Sequence, residues 1–263
     1  MAVDGERPLR PTEFVQSLER GLAVIKAFSQ DRPRMTLSEV ARETGMTRAA
    51  ARRFLLTLES LGYVTTDGRL FSLRPSVLQL SYAYLSSFSL AEIAQDHLEQ
   101  LAERLHESCS ASVLDREDIV YVARASTNRI MTIGLSVGAR LPAYCTSMGR
   151  VLLAHLSAPD LERYLAHATL RARTERTITA PARLRAELEA VREQGWCMQD
   201  QELEDGVRSL AVPVRDADGR VVAAVNVSAH ASRVTLAELR QTFLPALTAC
   251  ARDIDADLAG RRH

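Results

Sequence analysis

The sequence predicts an α+β protein in two parts. An N-terminal winged helix-turn-helix is joined by a linker helix to a larger domain of helices packed on an antiparallel sheet. Three observations carry this. The stretch Thr36–Leu73, TLSEVARETGMTRAAARRFLLTLESLGYVTTDGRLFSL, holds two amphipathic helices separated at Gly45 and followed by the hairpin signal Asp67-Gly68. From Ser108 the apolar period changes from helical to extended, with turn residues between the extended runs. The length, 263 residues, exceeds what a winged helix alone requires. The expected division is a tail over 1–13, the winged helix over 14–74, the linker helix over 75–89 and the second domain over 90–263.

A helix is expected over Phe14–Ser29, with Leu18, Leu22 and Ile25 at i, i+4, i+7 and Phe28 continuing the stripe against the helix-turn-helix. Thr36-x-x-Glu39 is a capping box that opens the next helix, and Met35 is placed to staple onto Val40. Leu37, Val40 and Ala41 give that helix its inward face, and Gly45 suits the turn that closes it. The helix from Thr47 to Leu61 puts Ala50, Ala51, Phe54, Leu55, Leu58 and Leu61 on one side. Arg48, Ala49, Arg52 and Arg53 fall on the other. Guanidinium forks reach guanine edges or phosphates, and a small residue lets the backbone approach a major groove. The hairpin around Asp67-Gly68 then makes a wing, with Arg69 beside its turn. A plain αα-hairpin with a solvated basic face accounts for the arginines alone, but not for the capping box, the arginine face and the wing together.

Pro75 restarts a helix whose residues Val77, Leu78, Leu80, Tyr82, Tyr84, Leu85 and Phe88 are apolar on more than one face, which calls for a partner surface. Ser89-x-x-Glu92 caps a helix running to His106. CSASVLDREDIVYVARAS reads as a hairpin turning at Asp115–Asp118, and Ile130–Leu135 as a third strand. An irregular loop, SVGARLPAYCTSMGR, feeds a helix at Ser147–His155. Helices follow at Pro159–Ala166 and Ala182–Gln194. Strands are expected at Trp196–Asp200, Val207–Arg215 and Val221–Ser228, and a final helix is capped at Thr235 and runs to Leu258.

Net charge is zero, yet residues 1–90 hold 12 Lys+Arg against 9 Asp+Glu, leaving 21 against 24 for the rest. The mild positive excess falls on the part read as nucleic-acid binding. No apolar run approaches the ~18 residues of a membrane span, and the N-terminus lacks an apolar signal core, so a cytoplasmic protein is expected. Cys109, Cys145, Cys197 and Cys250 are far apart and read as free thiols rather than metal ligands. GxSxG, GxGxxG, Walker and HExxH patterns are absent. His106 and Cys109 are three apart with no third group to orient them, so no enzyme, cofactor or metal is expected.

The chain from about Phe14 onward resembles the IclR family of bacterial transcriptional regulators. The resemblance rests on LERGLAVIKAF, LSEVARETGMTRAAARRFLLTLESLGYV, LPAYCTSMGRVLLA and ELEDGVRSLAVPVRDADGRVVAAVNVS, in that order. RRFLLTLESLGYV, HESCSASVLD and QELEDGVRSLAVPV look closest to the PcaR/PcaU/PobR-like branch, which controls aromatic-acid catabolism through the β-ketoadipate pathway. The resemblance implies a GAF-like effector-binding domain, double-stranded DNA with an approximately palindromic operator as partner, and a homodimer or dimer of dimers. It also implies a small carboxylate effector, protocatechuate or β-ketoadipate among the candidates. In the DNA-binding part Thr36, Thr47, Arg48, Ala49, Arg52, Arg53 and Arg69 are expected at the interface. The positions matching the family's effector pocket are Ala143, Tyr144, Thr146, Ser147, Met148, Gly149, Asp200, Ser209, Asn226 and Ser228. Ser209 replaces a cysteine common in the family and Asn226 a frequent serine, which argues against a metal.

No lysine occurs beyond Lys26, so the effector's carboxylate is expected at the start of the helix after Thr146, whose first N–H groups are unpaired. Thr146 and Ser147 add hydroxyls there, and Gly149 removes bulk. Ser209, Asn226 and Ser228 are expected to read the ligand's far end, and Tyr144 and Met148 to give apolar contact. Two further readings stay open: an IclR-type regulator of another carbon-source pathway, and a winged-helix module that binds protein.

Overall fold

The computed structural model describes residues 13–29, 31–80, 90–126 and 135–260. The chain divides into two compact units, residues 1–87 and 88–263. Most of the linker helix and Ile130–Gly134 of the expected third strand lie outside the described residues, as does nearly all of the tail.

The first unit contains α1 (Gln16–Lys26), β1 (Arg34–Thr36), α2 (Leu37–Glu43), α3 (Arg48–Ser60), β2 (Val64–Thr66) and β3 (Leu70–Leu73). Thr36 forms the capping box: its hydroxyl accepts from Glu39 N while its own N–H donates to the Glu39 carboxylate at 2.7 Å. Thr47 caps α3 by accepting from Ala50 N at 3.2 Å. Gly45, at φ 66, makes the left-handed turn between them. Val24, Phe28, Met35, Val40, Ala51, Leu55 and Leu58 form the core, which places the staple pair Met35 and Val40 together.

Three expectations change here. Of the expected stripe, Ile25 and Phe28 pack on the core together with Val24, whereas Leu18 and Leu22 are 63% and 42% exposed. Leu61 is also exposed, because it is the C-cap of α3 and falls beyond the last buried turn. The wing has a third strand, since β1 pairs with β3 antiparallel, giving the order β1-β3-β2.

The second unit is built on a six-stranded antiparallel sheet of order β6-β5-β4-β9-β8-β7. Its strands are β4 (Ser108–Asp115), β5 (Asp118–Ala125), β6 (Arg140–Pro142), β7 (Cys197–Asp200), β8 (Val207–Arg215) and β9 (Val221–His230). One face carries α4 (Leu90–Leu105) and α8 (Leu244–Gly260), packed on Cys109, Ala111, Val225 and Val227. A π-helical turn, Leu239–Phe243, leads into α8. The other face carries α5 (Ser147–Ala154) and α7 (Pro181–Gln194), with α6 (Ala158–His167) beside them. Successive strand residues point to opposite faces, so this second face receives Ser110, Ala211, Ala224 and Asn226.

Candidate DNA-binding and effector-binding sites

In the first unit, α2, α3 and the wing enclose an open cleft of about 490 Å³ with Arg48 and Arg52 on one wall and Arg69 on the other. Arg48, Ala49, Arg52 and Arg53 are all exposed on α3. Arg32 and Arg34 are tied to Glu43 and Asp67, but Arg48, Arg52, Arg53 and Arg69 carry no ion pair among the described residues. Three of these, Arg48, Arg52 and Arg69, line the one groove, an electrostatic footprint for a polyanion. Asp67 shapes the wing tip by accepting from the N–H groups of Arg69 (3.0 Å) and Leu70 (2.8 Å), with Gly68 at φ 93. The sequence reading missed Arg34, which anchors this turn through Asp67. Thr36 lines the cleft and Thr47 precedes α3, but the oxygens of both are engaged in capping.

In the second unit, a row of polar side chains lies on the sheet face under α5. Cross-strand pairing sets Arg124 beside Ser110, Ser110 beside Asn226, Ser228 beside Ser209, and Ser209 beside Gln199. Ser110, Ser147, Gln199, Ser209 and Asn226 are all buried. Arg124 Nη1 donates to Ser110 Oγ at 3.4 Å, and Asn226 Nδ2 to Ser228 Oγ at 2.9 Å. Ser112 Oγ lies 3.2 Å from Met148 Sδ, which places the start of α5 above β4. Four buried polar atoms on this face have no protein partner: Arg124 Nε, Ser147 Oγ, Gln199 Nε2 and Asn226 Oδ1. Buried polar groups are nearly always hydrogen-bonded, so a cluster of open bonds under an apolar helix marks a place for a polar guest.

The structure brings Ser147, Met148, Ser209, Asn226 and Ser228 to this face and leaves the other five expected residues out of it. Thr146 caps α5, donating to Pro142 O at 3.1 Å and accepting from Gly149 N at 3.2 Å. Close packing requires glycine at 149, because a Cβ there would lie 2.2 Å from the Ala143 carbonyl oxygen. Ala143 is fully buried under that contact. Tyr144 donates to Arg171 O at 2.6 Å, away from the cluster. Asp200 is turned by the pleat to the opposite face from Gln199. Burial opposes its charge, but Arg208, Gln201 and Arg176 hold its carboxyl below the usual range. Arg140, in the loop that leads to α5, pairs with Asp115 and Asp118.

Ser110, Arg124 and Gln199 were missed. The signal for the first was available: Ser108, Ser110 and Ser112 alternate with Cys109, Ala111 and Val113, so one strand face is polar. Arg150 was missed as well. It is 1% exposed, forms a two-pronged pair with Glu202 and donates from Nε to Tyr144 O at 2.9 Å, locking α5 to the segment around Glu202. The thiols nearby are kept protonated, since burial pushes Cys145 up to about 11 and Cys197 up to about 12.

A groove of free arginines on a winged helix, in one chain with a domain that buries unsatisfied polar groups, defines a ligand-responsive DNA-binding regulator. The comparisons with known proteins agree. The IclR helix-turn-helix domain matches residues 17–68, and the bacterial transcriptional regulator IclR C-terminal domain matches residues 82–256. The chain belongs to the IclR family of bacterial transcriptional regulators and is not an enzyme.

The chain is 51% identical over 249 residues to the Pca regulon regulatory protein of Pseudomonas putida, covering 94% of this chain and 86% of that one. A transcriptional regulator from Rhodococcus sp. RHA1 matches with a TM-score of 0.82 and 56% identity, over 93% of this chain and 98% of that one. The inducer-binding domain of the PobR transcription factor from Acinetobacter, a double mutant in complex with 3-hydroxybenzoic acid, matches with a TM-score of 0.60. It is 34% identical, over 62% of this chain and 96% of that one.

Proposed function

We propose that this protein is a cytoplasmic, effector-responsive regulator of aromatic-acid catabolism genes. In this reading residues 14–74 bind DNA, 75–89 form a linker helix and 90–263 hold a small carboxylate effector. The observation that carries the reading is the row of unsatisfied polar groups beneath α5. Arg124 leans over β4 toward Ser110, and from β4 to β8 is two strand spacings, about 10 Å. A benzene ring with a carboxylate at one end and a hydroxyl at the other, each hydrogen-bonded, fills such a span. The carboxylate pairs with Arg124, Ser147 and Asn226 stand over the middle, and Ser209 and Gln199 meet the hydroxyl end.

This replaces the start of α5 with Arg124 as the main anion holder, since Thr146 is already spent on capping. The relatives support the aromatic class: one is named for the Pca regulon and another was solved with 3-hydroxybenzoic acid. In the DNA-binding unit, Arg48, Arg52, Arg53 and Arg69 contact an approximately palindromic operator, read by two copies of the chain. The test is a melting series with protocatechuate, 4-hydroxybenzoate, 3-hydroxybenzoate and β-ketoadipate, because a ligand that binds the native state alone raises its stability. A shift with one aromatic acid, together with changed operator affinity, is expected. Absence of a shift with all four acids refutes the effector class.

A further inference from the structure

Tyr144, turned away from the sheet-face cluster, lines a separate cleft of about 180 Å³ between the β5 and β6 ends and the segment after α6. Tyr164, Thr169, Arg171 and Arg173 complete its wall, with Glu117 and Asp118 at the sheet end. Two features set it apart. Tyr164 is 7% exposed, and its hydroxyl is sealed from solvent without a hydrogen bond of ordinary geometry. The arginines nearby are otherwise committed: Arg163 pairs with Asp160, Arg176 with Asp200 and Arg185 with Glu162. Arg171 and Arg173, the two on the cleft wall, carry no ion pair among the described residues.

The charge of the cleft follows from its partners. Asp118 is paired with Arg140 at 3.1 Å, so Glu117 alone faces two guanidiniums, and the balance is positive. Burial, aided by the Glu117 charge, pushes the Tyr164 phenol up, which keeps it protonated and a donor. The volume falls below the ~300–1,000 Å³ of pockets for drug-sized ligands, so the occupant is small. We propose that this cleft is a second ligand site, distinct from the sheet face. It holds a small carboxylate or phosphate between Arg171 and Arg173 with the Tyr164 hydroxyl donating to it. The site adjoins the start of α5, because the Tyr144 carbonyl accepts from Arg150. Its existence does not depend on the effector reading given above.

The test uses the full chain and two probes, sodium phosphate and sodium benzoate, each at millimolar concentration against sodium chloride of equal ionic strength. Calorimetry is run on the wild type, Arg124→Met, the double variant Arg171→Ala/Arg173→Ala, and Tyr164→Phe. Both arginines are exposed, so the double variant keeps its fold. Binding of at least one probe is expected to persist in Arg124→Met and to weaken at least about tenfold in the double variant, with a smaller loss in Tyr164→Phe. Phosphate binding alone assigns the site to a phosphate, and benzoate binding alone to a carboxylate. If the double variant binds as the wild type does, or neither probe binds beyond the chloride control, the site does not exist. Benzoate binding lost only in Arg124→Met likewise overturns this site, while leaving the sheet-face reading standing.

Discussion

Arg124 is the cation that the sheet face beneath α5 offers to an acid, because the nearby Arg150 is committed to Glu202. Hydrogen bonds to charged groups contribute about 1.5–3 kcal/mol. Arg124→Met is therefore expected to weaken binding of the aromatic acid by roughly 10- to 150-fold while operator affinity without ligand stays the same. Calorimetry and a gel-shift titration check the two halves, and unchanged effector affinity places the carboxylate elsewhere. The sequence brought the reading within one residue of the inward group on β7. Asp200 was singled out and Gln199 is the one that faces the cluster, since the pleat inverts with a single step of register. Residue type offered no help there, because a carboxylate and an amide are equally plausible on either face. Only the cross-strand pairing of Gln199 with Ser209 decides it.

Elements with local punctuation were legible; those fixed by distant contacts were not. Thr36, Thr47, Gly45 and the Asp67-Gly68 turn each carry their conformation in a few adjacent residues, and α2, α3 and the wing fall where they indicate. Strands β1 and β6 span three residues each, too few for a period to show, and exist through pairing with β3 and β5. The α1 stripe was half right: Ile25 and Phe28 pack on the core with Val24, while Leu18 and Leu22 belong to a second apolar stripe that is left exposed.

For α3 itself, Arg48→Ala or Arg52→Ala should cost about 1–3 kcal/mol of operator affinity if the side chain reads a base. A phosphate-contacting arginine, the role expected of Arg53, instead lowers affinity for all sequences and flattens the log-salt slope by about 1. Intact operator binding in the triple alanine variant contradicts the assignment of α3. For α5, Glu202→Gln leaves the Arg150 guanidinium buried against a neutral amide. Removing one member of a buried pair typically costs about 3–5 kcal/mol. Urea unfolding measures it, and a loss under 1 kcal/mol shows that Glu187, 3.7 Å from Arg150, takes over the charge.

A single recognition helix reads only a few base pairs, so a useful operator asks for two half-sites and a protein with matching twofold symmetry. The DNA-binding unit has a surface suited to that pairing. Leu18 and Leu22, one helical turn apart on α1, and Phe14 just before it are 63%, 42% and 49% exposed, an apolar stripe open to solvent. Water contact with such a stripe is unfavourable, and a second copy of α1 would cover it while bringing a second recognition helix to the DNA. Leu18→Asp/Leu22→Asp places like charges across that contact without touching the core residues Val24 and Phe28. The variant is expected to keep its melting temperature within a few degrees. It should lose operator affinity far more than affinity for a single half-site, because only the full operator needs both copies aligned. Light scattering separates two versions of the outcome. A monomeric variant makes α1 the main association surface, and a variant that stays dimeric yet loses operator affinity assigns α1 to the alignment of the DNA-binding units. Wild-type affinity for the full operator in this variant would show that the stripe plays no part in the twofold assembly.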